Sequence, residues 1–591
     1  MTQRTLTGGD FIACTTRPEQ VFIPEEWTEE QRMIAKATED FIVAEIHPRL
    51  EEIDSMKDPN LVPSLLEKAG ELGLLGTSIP EQYGGFGMDF NTSMLIAERS
   101  AMGFSFGTTF GAHTGIGTLP ILYYGNEEQK QKYLPKLATG QWKASYCLTE
   151  PTAGSDANSG KTKAVLDPDG THYLINGQKM WITNGGFADL YIVFAKVDDD
   201  ENLSAFIVER TYEGLSLGAE EKKLGIKGSS TVQVFFNNCK VPKENMLSER
   251  GNGFKIALNI LNIGRIKLAT AACGGAKMAM MGAVLYARER KQFNTAIIDF
   301  GAIRHKLGQM ALEIYNIESA SYRAGQCIDQ TYDQMVQSGM DPNRAKLKSV
   351  EEYSVECALL KVYASEVLDY VVDEVLQIHG GMGFSAELPI ERGYRDARIT
   401  RIYEGTNEIN RMLGVGMLFK KAFKDKTVDM KGELSKLPLM LLSALPGSAP
   451  AEDLLLARLK MAYILVALKA AQKFQLKLQE EQEILMDLSD ALAAIYMAES
   501  AWLRSQKVRQ KGTMAAPKAD AMQQLARLSC HEAAIQVAKS LNAAIAAHAE
   551  GTDLRFQRWA VRMLTRPNAI NPKAIRRKLV DHINEENGYP F

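Results

Sequence analysis

The chain has 591 residues, of which 45% are apolar and 24% are charged, and its formal net charge is -4. This length exceeds what one hydrophobic core supports, so several domains are predicted. The composition is that of globular proteins and excludes disordered and fibrous classes. Acidic and basic residues are mixed along the chain, which argues against a nucleic-acid partner.

Cysteine usage and the N-terminal segment bear on the cellular compartment. The seven cysteines lie singly, without a C-x-x-C pair, which argues against a disulfide framework or a structural metal site. The N-terminal segment holds acidic side chains and no apolar run of the signal-peptide kind, and no later window is apolar for the length of a membrane span. A cytoplasmic location is predicted, with no metal.

Hydrophobic periodicity predicts an α+β fold. After an N-terminal tail (1–27), apolar residues recur at helical spacing over 28–142. Short β-branched and aromatic runs bounded by Gly, Asn and Asp predict a central β-barrel or sandwich domain over 143–250. Helical spacing returns over 251–425 in a helical bundle domain. A linker (426–452) then leads to an extra C-terminal helical domain over 453–591.

An internal similarity concerns this last domain. Residues 314–323 (IYNIESASYR) and 495–504 (IYMAESAWLR) share six identities in register. The C-terminal domain is therefore interpreted as a degenerate copy of part of the preceding bundle, used as a packing surface. Chance agreement between two alanine-rich helices is the alternative.

Two loops mix hydroxyls, glycines and an aromatic residue. They are residues 146–156 (YCLTEPTAGSD) and 179–186 (KMWITNGG). Glycine permits backbone approach, Ser and Thr offer donors, and Trp can cover a flat ring, so the loops suit a flat cofactor. Each loop alone is more typical of an ordinary turn. Neither a G-x-G-x-x-G nor a Walker motif is present, which excludes Rossmann and P-loop sites.

A third feature is a carboxylate that follows a glycine-rich turn. Residues 377–383 (QIHGGMG) precede residues 401–410 (RIYEGTNEIN), which contain Glu404. A second Glu-Gly-Thr occurs at 550–552, where no such turn precedes it. The placement of Glu404 after the turn, rather than the tripeptide itself, marks it as the candidate catalytic group.

In order and spacing these motifs resemble those of the acyl-CoA dehydrogenase flavoproteins. The resemblance runs from about residue 28 to 420 and rests on seven segments. The C-terminal extension is similar in placement and length to that of the very-long-chain branch, which is dimeric where shorter members are tetrameric. The seven segments are 80–87 (PEQYGGFG), 146–156, 179–186, 261–265 (LNIGR), 286–293 (YARERKQF), 377–383 and 404–406.

The resemblance implies an FAD cofactor and a homo-oligomer, with a dimer expected. Positions that hold the isoalloxazine and ribityl parts in the family match Leu148, Thr149, Ser155, Trp181 and Thr183. Positions that contact the pyrophosphate and adenine, several of them across a subunit interface, match Arg290, Phe293, Gln377, Gly380, Gly381, Thr406 and Glu408.

One of these positions, and the residue that follows another, depart from the family pattern. Asn294 stands after the cofactor-binding Phe293, where the family often has glycine. Glu408 replaces a glutamine found in some branches. The pyrophosphate geometry is the property that the Asn294 departure puts in question.

The resemblance also assigns the substrate site and the base. Asn262 and Arg265 match the pair that binds the CoA part, with a helix salt bridge as the alternative for Arg265. Ser155 and Gly405 complete the substrate set.

Glu404 matches the base that removes the proton α to the thioester carbonyl while hydride passes to flavin N5, giving a trans-2-enoyl-CoA. Two branches place the base just before the CoA-binding arginine, but here that position is Gly264, which cannot serve. Burial next to flavin and thioester is expected to raise the pKa of Glu404.

Residues 105–113 (SFGTTFGAH) bear on the length of the acyl chain that the substrate carries. Gly107 and Gly111 stand where glutamine and glutamate close the acyl tunnel of the medium-chain branch. An open floor and a preference for long acyl chains are predicted, as in fatty acid β-oxidation. The alternative is that the glycines only let two helices pack closely.

The resemblance names an electron-transfer flavoprotein as the electron acceptor. An acyl-CoA oxidase and an assembly or scaffold partner are the alternative functions. The apolar segments 437–442 and 454–456 are interpreted as core or dimer packing, with weak membrane-surface contact as the alternative.

Overall fold

A computed structural model describes residues 6–445, 451–586 and 588–591, so parts of the predicted tail and linker lie outside the described residues. Residues 28–138 form helices, as predicted. Thr28 caps the first of them by accepting from the backbone N–H of Gln31, and Asn126 caps the last in the same way. The helices are α1 (Glu29–Phe41), α2 (Leu50–Ser55), α3 (Leu61–Glu71), α4 (Phe90–Ser100), α5 (Ser105–Ala112), α6 (Leu119–Tyr124) and α7 (Glu127–Ala138).

The strands of the central domain form one mixed sheet in the order β6-β7-β3-β2-β4-β5-β8, with β1 paired in parallel to β4. Within the described residues the sheet stays open, so it is not closed into a barrel. β4 and β5 are buried along nearly their whole length, as expected for strands covered on both faces. The strands are β1 (Ala144–Cys147), β2 (Lys163–Leu166), β3 (His172–Thr183), β4 (Leu190–Val197), β5 (Leu203–Glu209), β6 (Leu215–Leu217), β7 (Thr231–Pro242) and β8 (Met246–Leu247).

The bundle domain is built on two long helices that pack against each other, α8 and α11. Helix α8 is the one described helix whose length and composition would suit a membrane span, and half of its apolar window is buried inside the protein. It is thus the core helix of this domain. The elements are α8 (Gly253–Glu289), β9 (Lys291–Gln292), β10 (Thr295–Ala296), α9 (Gly301–Gln337), α10 (Pro342–Glu352), α11 (Ser354–His379), α12 (Gly381–Phe384), α13 (Ile390–Ala397) and α14 (Asn407–Phe419).

Most of the remaining helices form the predicted C-terminal domain, whereas Met430–Leu434 and Leu437–Ser443 are helices inside the segment predicted as a linker. The α+β fold, with its helical and sheet domains and an extra C-terminal helical domain, is confirmed. In the apolar segments, Leu455 and Leu456 are buried, whereas Leu439 and Leu442 are 67% and 63% exposed. Core packing is therefore confirmed for Leu455 and Leu456 but not for Leu439 and Leu442, for which dimer packing stays a prediction. The helices are α15 (Met430–Leu434), α16 (Leu437–Ser443), α17 (Glu452–Phe474), α18 (Gln482–Lys511), α19 (Ala516–His548), α20 (Gly551–Leu564) and α21 (Pro572–Glu585).

The two similar runs lie on α9 and α18 and contact each other reciprocally. Arg323 donates to Glu499 and to the following serine, both at 3.0 Å. Arg504 donates to Glu318 at 2.7 Å and to the following serine at 3.3 Å. Each guanidinium also lies over the tyrosine ring of the other run, at 4.8 and 4.6 Å. This local two-fold exchange supports the interpretation of the runs as copies that serve as packing surfaces.

The segment predicted as an N-terminal tail packs onto the helical domains. The backbone N–H of Gly9 donates to Glu356 at 2.7 Å. The ring of Phe11 lies 4.7 Å from that of Tyr496, and Glu25 accepts from Arg504 at 2.7 Å. The described part of this segment therefore joins the bundle to its C-terminal extension.

Candidate active site

A cavity of about 580 Å³ lies between the N-terminal helices, the sheet and the bundle. One face of α8 lines it from Ile260 to Gly282, and the part from Gly264 onward is about 27 Å long at the rise of an α-helix. Thr183, Glu404, Gly107 and Gly111 also line it. The structure thus brings one predicted flavin residue, the predicted base and both chain-length glycines to one cavity.

Glu404 lies in a tight turn between α13 and α14, with a left-handed φ of 58°. Arg265 donates to its carbonyl oxygen at 3.2 Å, and Asn410 donates to the same oxygen at 3.3 Å. Asn410 also donates to the carbonyl oxygens of Gly405 and Thr406 at 2.8 and 3.0 Å. A non-glycine residue in this conformation costs about 1–3 kcal/mol and persists only where its surroundings enforce it. Here Arg265 and Asn410 hold the turn.

The carboxylate of Glu404 lies directly against α8. A Cβ atom added to Gly264 would lie 2.7 Å from Glu404 Oε2 and 2.9 Å from its Cδ. That distance is too short for two non-bonded atoms, so a side chain there would displace the carboxylate of Glu404 from this position. Gly264 therefore does more than lack a basic group, because its missing side chain provides the space that Glu404 occupies.

Burial raises the pKa of Glu404 to about 7, although the nearby charges of Arg265 and Lys361 act to lower it. Oε2 is buried without a hydrogen-bond partner among the described residues. An unpaired buried carboxylate costs free energy, and the raised pKa is the usual response. This is the electrostatic state of a general base that works near neutral pH.

Lys361 was not identified from the sequence. It is fully buried on α11 and donates to the carbonyl oxygen of Gly405 at 2.8 Å and to Asn407 Oδ1 at 2.7 Å. Burial lowers its own pKa to about 8. Because no motif surrounds Lys361 and a whole helix and the glycine-rich turn separate it from Glu404 in the chain, only the tertiary structure reveals its position.

We expect Lys361→Met to shift the acid limb of the pH–kcat/KM profile upward by about one unit, because removing a nearby cation disfavours the ionised carboxylate. The loss of activity should accordingly be greatest below pH 7. Ser365→Ala is the matched control, since Ser365 also contacts Asn407 but carries no charge. An equal shift in both variants would contradict the electrostatic role.

The two predicted flavin loops contact each other. The backbone N–H of Met180 donates to the carbonyl oxygen of Thr149 at 3.0 Å. Lys179, fully buried, donates to Leu148 O at 3.1 Å and pairs with Glu150 at 2.6 Å. This ion pair was missed from the sequence, where Lys179 and Glu150 stand in separate loops and no recognised motif relates them.

Trp181 is presented outward by a backbone irregularity. The β3–β7 register shifts between Lys179 and Ile182, and Trp181 has a φ of 60°. Its side chain is 53% exposed, although tryptophan is usually well buried. Ser155 is exposed as well, on the loop that follows β1. The bulge thus leaves the ring of Trp181 half exposed, two residues before Thr183 of the cavity wall, as a cover for a flat cofactor requires.

Most of the predicted pyrophosphate and adenine residues form a second group, at the far end of α8, whereas Thr406 and Glu408 lie just after Glu404 at the start of α14. Phe293 and Asn294 are the two turn residues between β9 and β10, both with positive φ. Asparagine tolerates that conformation, so the departure from glycine leaves the turn intact. Phe293 is 91% exposed.

The glycine-rich turn lies beside this hairpin. The ring of His379 stacks on that of Tyr286 at 4.2 Å, which joins the end of α11 to the end of α8. A Cβ atom added to Gly380 or Gly381 would meet nothing within 4 Å, so both glycines border open space. Arg290 and Gln377 lie at the same ends of these helices.

The substrate residues Asn262 and Arg265 form a buried pair, with Arg265 donating to Asn262 Oδ1 at 2.7 Å. Arg265 thus supports the turn of the base, and its predicted CoA contact stays a prediction. Thr406 caps α14 by accepting from Ile409 at 3.3 Å, and Glu408 is exposed in the first turn of that helix.

The comparisons with known proteins agree with this geometry. Models of the N-terminal, middle and C-terminal domains of acyl-CoA dehydrogenases match residues 28–141, 145–239 and 251–416, and a further model of an acyl-CoA dehydrogenase C-terminal domain matches 458–563. A probable acyl-CoA dehydrogenase of Bacillus subtilis is 44% identical over 97% of this chain and 96% of its own length. The chain belongs to the acyl-CoA dehydrogenase family.

Other similarities refine the assignment. The human very long-chain specific acyl-CoA dehydrogenase is 43% identical over 58% of this chain and 51% of that protein. A crystal structure of an acyl-CoA dehydrogenase from Bacillus anthracis, complexed with FAD, matches with a TM-score of 0.95 and 43% identity over 99% of this chain and all of that one. The resemblance to the family, with its C-terminal helical extension, is confirmed.

The chain is therefore an oxidoreductase, and its cofactor is FAD. The half-exposed ring of Trp181, on the loop that contacts the other predicted flavin loop, fits a cover for a flat ring.

Proposed function

We propose that this acyl-CoA dehydrogenase acts on long-chain acyl-CoA thioesters and converts them to trans-2-enoyl-CoA products. The observation that carries the proposal is Glu404, a carboxylate with a pKa of about 7 at the wall of a cavity that extends about 27 Å along α8. Leu148, Thr149, Ser155, Trp181 and Thr183 would hold the flavin part of FAD. When bound, FAD supplies the acceptor for the hydride that leaves the β-carbon.

Glu404 takes the α proton onto a carboxylate oxygen while the α–β double bond forms. Negative charge develops on the thioester oxygen in this step, and a donor aimed at that oxygen stabilises it. Within the described residues the backbone N–H of Glu404 donates to no protein acceptor, so it is available for this contact. Arg265, Asn410 and Lys361 hold the turn in place while the proton moves.

We also propose a homodimer in which Arg290, Phe293, Gln377, Gly380 and Gly381 serve the FAD of the neighbouring subunit, with Thr406 and Glu408 near the same part of the cofactor. Arg290 lies about 38 Å along α8 from Arg265, at the opposite end of the helix from the base. The 91% exposure of Phe293 is consistent with burial in such an interface.

Anaerobic titration of the FAD-loaded protein with saturated acyl-CoAs of rising length tests the function. We expect the flavin absorbance to bleach with long chains and to recover on addition of an electron-transfer flavoprotein, the proposed acceptor. Absence of bleaching with every chain would favour a scaffold role, and fast recovery in air alone would identify an oxidase.

Gly111 is the chain-length position that the structure makes testable. A Cβ atom there would meet nothing within 4 Å, whereas one on Gly107 would lie 2.7 Å from the carbonyl oxygen of Ser100. Gly107 therefore also lets α5 lie close to the end of α4, which is the alternative role given above for these glycines. Gly111→Gln, which adds bulk without a buried charge, should lower kcat/KM for the longest substrates by about tenfold relative to medium chains.

Gly416→Gln is the control for this variant. Gly416 also faces open space in a helix, but it is exposed and does not line the cavity. The ratio of long-chain to medium-chain kcat/KM should stay at the wild-type value in this control. An unchanged ratio in Gly111→Gln would contradict the assignment of Gly111 to the tunnel floor.

A further inference from the structure

Lys267 is a cation in the wall of the substrate cavity. It lies on α8 one turn beyond Gly264, about 4.5 Å further along the helix axis from the base. Its neighbours on this face of α8 are the apolar residues Ile263, Leu268 and Ala271. Lysine is rarely found in such surroundings without a partner.

The ammonium group of Lys267 makes no hydrogen bond or ion pair within the described residues. The charge that acts on it is that of another cation, Lys346 on α10, and it is repulsive. Burial and this repulsion lower the pKa of Lys267 to about 8. At neutral pH the side chain is therefore still mostly charged.

The nearby carboxylates are engaged elsewhere. Asp329 pairs with Lys346 at 3.2 Å and accepts from the backbone N–H groups of Phe90 and Asn91. No contact or charge interaction joins Asp329 to Lys267.

The other titratable groups of the cavity wall do not balance Lys267 either. Glu404 is influenced by Arg265 and Lys361. Asp396 accepts from the backbone N–H of Ile226, and the charges acting on it come from Asp54, Arg392 and Arg395. His47 Nε2 bonds Met102 O at 3.0 Å.

An unpaired charge in an apolar wall costs free energy that a bound anion would offset. We infer that the cavity accepts acyl-CoA thioesters whose acyl chain ends in a carboxylate, and that Lys267 binds this carboxylate. The inference rests on the proposed dehydrogenation, because that reaction places the thioester at Glu404 and directs the chain along α8. A carboxylate at the end of the chain forms an ion pair with Lys267, which an unsubstituted methyl end cannot do.

Binding measured without turnover tests the inference. In a Glu404→Gln background, FAD-loaded protein is titrated with CoA thioesters of dicarboxylic acids of rising length and with unsubstituted acyl-CoAs of the same lengths. Adding Lys267→Met should weaken binding of at least one carboxylate-ended chain by about tenfold or more and leave the unsubstituted chains equal or tighter. Lys267→Arg should retain the preference, and Lys255→Met, which removes an exposed cation of the same helix that does not line the cavity, should not change it.

A second measurement guards against misfolding. Because Lys267→Met removes an uncompensated cation, its unfolding temperature without ligand should equal or exceed that of the parent protein. Equal weakening of both substrate classes, or no weakening of either, would overturn the inference. The proposed function fails separately, if unsubstituted long-chain acyl-CoAs do not bleach the wild-type flavin.

Discussion

Glu404→Gln is expected to lower kcat for acyl-CoA oxidation by about 10³- to 10⁴-fold while FAD stays bound. Glutamine keeps the size of the side chain but cannot accept the α proton. In the wild type, kcat/KM should rise with pH through about 7, because burial raises the pKa of Glu404 to that value and only the ionised form is a base. Anaerobic stopped-flow measurement of flavin bleaching reports the step directly.

Glu387→Gln provides the control for the base. Glu387 lies on the exposed segment between α12 and α13 and does not line the cavity. Its variant should bleach at the wild-type rate and retain the acid limb near pH 7. Normal bleaching in Glu404→Gln would refute the assignment of the base.

Gly264→Ala is expected to reduce kcat/KM by about 10²-fold, although it adds a single methyl group. The new Cβ atom would lie 2.7 Å from Glu404 Oε2, so the carboxylate must move away from α8. Displacement of a catalytic group by about 1 Å can cost a factor of this size. The same substitution in a helix interior usually stabilises the fold by about 0.5–1 kcal/mol. Lower activity with an equal or higher unfolding temperature is the signature to measure.

Gly275→Ala is the matched control, on the same face of the same helix. A Cβ atom there would lie 3.3 Å from Leu368 Cδ1, the end of a flexible side chain that can adjust. We expect kcat/KM to change by less than about threefold. A similar loss in both variants would mean that α8 tolerates no added bulk, rather than that Gly264 makes room for the base.

The internal similarity of α9 and α18 predicted two related helices, but it did not predict which residues of these helices contact each other. Six identities in register identify two similar helices. They do not say that Arg323 reaches Glu499 while Arg504 reaches Glu318. That exchange follows from the mutual orientation of α9 and α18, which depends on contacts along both helices.

The leucines of residues 437–456 likewise show that the sequence does not determine which apolar side chains are buried. Their apolar character is evident in the sequence, but Leu455 is buried and Leu439 is 67% exposed. Hydropathy gives the tendency of a side chain to be buried. Whether a partner surface is available depends on how the helices pack.

The sequence by itself determined the α+β fold class, the family and the FAD cofactor, and it singled out Glu404 as the proposed base, because these depend on local motifs and on their order along the chain. Only the tertiary structure shows what surrounds Glu404. Gly264 lies on a different helix, far from Glu404 in the chain, and yet provides the room for its carboxylate. Lys361 contributes to its electrostatics, and Lys267 lies in the cavity wall. Burial, electrostatic shifts and steric room are properties of atoms brought together from distant segments, and they exist only after those segments pack.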